Sequence, residues 1–114
     1  MRRALCVIGA TLAATATAVP AALAGRAARS SSHLVTIKNF AFHASKVDIN
    51  VGDTVTWKWE DSPTPHNVTS TGGHFRSSPT KTTGTFTVRF SKAGTFKYSC
   101  TIHPFMLGEI TVRK

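Results

Sequence analysis

The sequence predicts an all-β chain, a small antiparallel Greek-key sandwich of about seven or eight strands. Three observations carry that expectation. Apolar residues alternate with polar ones in short runs, most clearly Val55, Trp57, Trp59 and Phe86, Val88, Phe90, and a period of two puts each set on one face of a strand. Glycine, proline, Asp, Asn and Ser gather between those runs, where turns need them. Downstream of the N-terminal segment, no window places apolar residues at helical spacing. A length of 114 residues allows one domain with one modest core.

Residues 1–24 read as a secretory signal peptide. Arg2 and Arg3 form a basic n-region, Ala4 to Val19 an apolar h-region, and Ala22-Leu23-Ala24 a small-x-small cleavage site. Arg2-Arg3 leaves general and twin-arginine export both open. The expected location is periplasmic or extracellular, at the cell envelope, with retention of the segment as an anchor the alternative. No second apolar stretch of about 20 residues follows, so no spanning helix is expected in the mature chain. Residues 25–32, rich in Arg, Ala and Ser, read as a flexible leader, and residues 33–114 as the folded domain.

Within that domain Leu34 to Phe42 contains a β-rich run. Val47, Ile49 and Val51 alternate before a turn at Gly52-Asp53, and Thr54 to Glu60 makes a half-buried strand. The loop Asp61 to Pro65 contains two prolines, which lack the N–H a ladder needs, and it delivers the chain to His66-Asn67-Val68. Thr71 to Gly84 reads as an irregular connection between sheets. Ser91 to Gly94 is expected to make a tight hairpin turn. After it Phe96, Tyr98 and Cys100 face inward, and Gly108 is expected to start a last strand with Ile110 and Val112 inward.

Cleavage would remove Cys6, leaving Cys100 as the single thiol of the mature chain and Met106 as its single methionine. A lone thiol in an oxidising compartment is vulnerable unless a metal ion holds it as thiolate. Cys100, His103 and Met106 put a thiol, an imidazole and a thioether three residues apart in one short turn. An electron-transfer copper site needs a thiolate, two imidazoles and a weak axial thioether, and His66 is the candidate for the second imidazole. His33, His43 and His74 have no partner at ligand spacing and read as surface residues. No nucleophile with a base and no open metal position is found, so an enzyme is not expected.

The formal charge is +9, and loss of Arg2 and Arg3 lowers the basic count from 14 to 12 against five acidic residues, leaving +7. Such a field steers the molecule toward an acidic partner or an anionic membrane or wall surface. Without a basic run or aromatic-interleaved motif, nucleic acid is not an expected partner.

Pro65-His66-Asn67-Val68, the strand Gly94-Thr95-Phe96-Lys97-Tyr98-Ser99-Cys100 and the loop Cys100 to Gly108 resemble the cupredoxins, or blue copper proteins. Within that family they are most similar to the amicyanins, then to the plastocyanins and pseudoazurins. The likeness spans roughly residues 33–114. It implies a monomeric one-electron carrier with one copper ion cycling between Cu(II) and Cu(I), held by His66, Cys100, His103 and Met106. It implies further that Asn67 ties the two ligand-bearing segments together. Pro65, Pro104 and Phe105 would rim the exposed His103 edge where a redox protein docks, amine dehydrogenase-like or cytochrome c-like. At Ile102 the chain departs from amicyanin and plastocyanin, which have proline there. A free Ile102 N–H aimed at the Cys100 sulfur would raise the potential above that of an Ile102→Pro variant. Two other classes stay open: a copper chaperone or resistance protein using the same four residues to hand on Cu(I), and a zinc-stabilised or metal-free interaction module.

Overall fold

A computed structural model describes residues 30–114, so the expected signal and most of the leader lie outside the described residues. Eight strands form two four-stranded sheets. The strands are β1 (Ser32–Lys38), β2 (Ala41–His43), β3 (Lys46–Asn50), β4 (Thr54–Trp59), β5 (Thr69–Ser70), β6 (Thr85–Arg89), β7 (Gly94–Cys100) and β8 (His103–Arg113). One sheet has the order β2-β1-β4-β6 and the other β3-β8-β7-β5.

The sheets are mixed rather than purely antiparallel. β1 pairs parallel with β4, and β3 parallel with β8. The cause is the crossing at Ala44-Ser45, where the chain passes from β2 in one sheet to β3 in the other, so that β4 returns beside β1 in the same direction. Similarly, Ser91 to Ala93 does not close a hairpin. β6 pairs with β4 and β7 with β8, so this turn joins different sheets, and the alternation on either side gives no hint of which sheet each strand enters. The Thr71 to Gly84 segment does cross between the sheets, holding one turn of 3₁₀ helix at Thr71–Gly73.

The core lies between the two inner faces and is built on Trp57, which is fully buried. Its ring meets Tyr98 edge to face at 5.3 Å, stacks on Phe75 at 6.0 Å and lies near Phe86. Trp57 belongs to one sheet and Tyr98 to the other, so this pair spans the sandwich. Burial pushes the Tyr98 hydroxyl up to about 12, with the Trp57 side chain pulling the other way.

The two ends of the sandwich are fastened differently. At one end the buried Asp53 carboxylate accepts the Ser31 and Asn50 N–H groups at 2.8 and 3.0 Å and bonds His33 Nε2 at 3.1 Å. These hydrogen bonds, led by that from Ser31, hold its acid below the usual carboxylate range. The opposite end, where β1, β4 and β7 finish, gathers the residues singled out for metal chemistry.

Candidate metal centre

His66 is delivered by the Pro-containing loop after β4, and its backbone is fixed at three points. Its N–H and carbonyl pair with Lys81 at 2.9 Å each way, and the Trp59 indole N–H donates to the same carbonyl at 2.9 Å. Its imidazole is fully buried. Cys100 closes β7 with its thiol fully buried, and Thr101 and Ile102 form the turn into β8.

His103 and Met106 lie on β8, which starts five residues ahead of Gly108. On a regular strand two residues three apart point to opposite faces. Here Cys100 pairs with His103 while Ser99 pairs with Leu107, which leaves Pro104, Phe105 and Met106 without partners on β7. This bulge re-aims the chain, so that Met106 is buried while Pro104 and Phe105 stay exposed.

His66, Cys100 and His103 each offer a donor atom, and all three atoms lie within 4.8 Å of one another. His66 Nδ1 is 3.1 Å from His103 Nδ1, and Cys100 Sγ is 4.0 Å from the first and 3.6 Å from the second. Three donors at ordinary metal–nitrogen and metal–sulfur lengths in a trigonal array stand about 3.5 to 3.7 Å apart. The observed spacings bracket those values, so one ion fits with shifts of a few tenths of an ångström. Met106, three residues beyond His103 on β8, is a buried thioether. The set is soft sulfur plus imidazole, the donor chemistry of copper.

Asn67 links the two segments directly. Its side chain donates to Thr101 Oγ1 at 2.7 Å and Thr80 Oγ1 at 3.1 Å, and accepts the Thr101 N–H at 3.0 Å. The Asn67 backbone N–H also donates to Cys100 Sγ at 3.5 Å. The expected Ile102 hydrogen bond to sulfur is not formed among the described residues. Ile102 stands exposed in the turn, and the donor to sulfur comes from the neighbouring segment instead. The expectation for Ile102→Pro is therefore revised: cyclic voltammetry should show a potential within a few tens of millivolts of the parent, because no bond to the thiolate is removed.

Two residues that sequence reasoning passed over also reach the site. Asp61 Oδ2 lies 2.8 Å from His66 Nε2 and accepts the Phe40 N–H at 3.2 Å. Its acid is held below the usual range, chiefly by the His66 hydrogen bond. With a carboxylate on Nε2, that nitrogen carries the proton and the Nδ1 lone pair is free for an ion. Phe40 sits in the turn between β1 and β2, its ring against both imidazoles. The clue to Asp61 was a carboxylate five residues before a candidate ligand; Phe40 was hidden inside a stretch read only as β-rich. His33 and His43 are used elsewhere, His33 on Asp53 and His43 on the Lys38 carbonyl.

A thiol set between two imidazoles at one end of a two-sheet sandwich defines a type 1 copper protein. The chain belongs to the copper binding proteins of the plastocyanin/azurin family, whose profile matches residues 30–113. It is 37% identical to amicyanin-alpha of Methylorubrum extorquens, over 96% of this chain and 98% of that protein. It is 33% identical to the amicyanin of Paracoccus denitrificans, over 69% of this chain and 63% of that protein. Among solved structures it is similar to the reduced state of an amicyanin mutant, with 32% identity, a TM-score of 0.65, and coverage of 72% of this chain and 82% of that one. It is also similar to a purple cupredoxin from Nitrosopumilus maritimus, with 32% identity, a TM-score of 0.64, and coverage of 70% and 98%. Copper is the cofactor, and the protein is not an enzyme.

Proposed function

We propose that this protein is an exported one-electron carrier whose copper is held by His66, Cys100, His103 and Met106. The observation that carries the reading is the convergence of His66, Cys100 and His103 within 4.8 Å, from two separate segments. Bound copper supplies a single-electron couple at this end of the sandwich. The protein's part is to hold the donors still. Asn67 cross-links the segments bearing His66 and Cys100, the Asn67 N–H steadies the thiolate, and Asp61 fixes the His66 ring. A site that moves little between oxidation states has a small reorganisation cost, which favours rapid electron transfer over metal hand-off. That rigidity supports the carrier rather than the chaperone.

Cys100 and His66 are fully buried, whereas His103 is partly exposed and is the edge through which an electron passes. Pro65, Pro104 and Phe105 are exposed around that end, and Ile102 and Phe40 extend the apolar surface. A redox protein docks there through a small contact. The basic charge of the chain favours a partner with an acidic surface, and the protein acts as a monomer in the periplasm or at the cell envelope. The deciding experiment is a visible spectrum of the exported protein with stoichiometric Cu(II). An intense thiolate-to-copper band that vanishes on reduction, and is missing from Cys100→Ser, is the expected result. A colourless, redox-silent complex would refute the reading.

A further inference from the structure

The turn between β1 and β2 is formed by Asn39 and Phe40, since Lys38 pairs with Ala41 across it. Both residues have positive φ, 52° and 56°. A two-residue turn of this kind favours Asn at the first position and Gly at the second, because a Cβ is crowded there. A phenylalanine at the second position is disfavoured by its own backbone. A conformation that local preference opposes persists only where the surroundings impose it.

Those surroundings are the metal centre. The Phe40 ring meets the His103 ring edge to face, with centroids 4.9 Å apart at 85°, and the His66 ring at 5.6 Å and 89°. The Phe40 N–H is held by Asp61 Oδ2, the atom that also bonds His66 Nε2. The two imidazoles differ in how they are fixed. His66 has a carboxylate on its outer nitrogen, whereas the hydrogen bonds described for His103 all involve Nδ1, the atom turned toward His66 and Cys100. With nothing bonding its outer nitrogen among the described residues, the His103 ring takes its orientation from packing. Phe40 lies nearer to it than Phe105, whose centroid is 6.1 Å away.

We propose that Phe40 is a positioning residue of the copper centre: its ring, carried on a strained turn and anchored through Asp61, holds the His103 imidazole with Nδ1 facing Cys100. This rests on the ligand assignment proposed above. Phe40 does for His103 by ring contact what Asp61 does for His66 by hydrogen bonding. The strain in the turn is retained because glycine, the residue the turn prefers, has no ring to place.

The test compares Phe40→Gly and Phe40→Tyr in the copper-loaded protein. Asn-Gly suits this turn, so the glycine variant keeps the parent fold by near-ultraviolet circular dichroism. It is expected to lose Cu(I) to bathocuproine disulfonate about tenfold faster than the parent, the scale on which outer contacts tune metal sites, and to broaden the Cu(II) hyperfine lines in electron paramagnetic resonance. Phe40→Tyr, which keeps the ring, should restore both readouts. Glycine-variant release rates and line widths matching those of a blue parent would overturn this proposal alone, as would a tyrosine variant that fails to rescue them. A parent that gives no thiolate-to-copper band would overturn the ligand assignment and this proposal with it.

Discussion

Alanine at position 108 is expected to lower stability by about 3 kcal/mol or more, a severe cost for one methyl group. Gly108 pairs with Tyr98 across β7 and β8, and a Cβ built on Gly108 would overlap the hydroxyl end of the Tyr98 ring, at Cζ, Cε2 and the hydroxyl oxygen. The ring has little freedom to yield. It is buried, with Phe42 edge-on at 4.7 Å and Trp57 at 5.3 Å, so displacing it disturbs the aromatic contact that spans the two sheets. For a domain of this size the loss amounts to a fall of roughly 12 to 24 °C in melting temperature, measurable by calorimetry. Any escape by sliding β8 is also costly, because that strand carries His103 and Met106 and its register with β7 sets Cys100 opposite His103. The variant should therefore also bind copper more weakly. A melting temperature within a few degrees of the parent's would show that the Tyr98 ring is not fixed as described.

That glycine illustrates how far the sequence could be read. Alternation alone located most strands and the inward face of Cys100, because a period of two is a local property that needs no knowledge of neighbours. Sheet membership is not local, so the crossing at Ala44-Ser45, the parallel pairs and the sheet-changing turn at Ser91 were not legible. Gly108 could be seen as a strand residue, but not as the only shape that admits Tyr98. At the metal end the three sulfur and nitrogen donors of the Cys100 to Met106 stretch stood out because their types and spacing are chemically specific. The bulge that turns Met106 inward was invisible, since it depends on how β8 pairs. Asp61 and Phe40 were missed because each acts through space, on residues 5 and up to 63 positions away. The Ile102 expectation failed for a related reason: a free N–H was identified correctly by residue type, but the sulfur is met by the Asn67 N–H from another segment.

Removing the Asp61 carboxylate is expected to weaken copper binding about 10- to 100-fold in Asp61→Ala, as loss of a carboxylate behind a metal-bound histidine does elsewhere. Two effects add. The His66 ring loses the acceptor that keeps the proton on Nε2, so part of the population would carry it on Nδ1 and present no lone pair to the ion. The ring also loses the negative charge that makes it a stronger donor. Asp61→Asn separates these effects, because the amide oxygen still accepts from Nε2 but carries no charge, and its loss should be smaller than that of Asp61→Ala. The His66 backbone is held independently by Lys81 and the Trp59 indole, so the peptide should stay in place while the ring turns. Competition against a Cu(I) chelator measures the affinities, and near-ultraviolet circular dichroism checks the fold. An alanine variant that binds copper as tightly as the parent would mean that burial of His66, rather than its carboxylate, orients the ring.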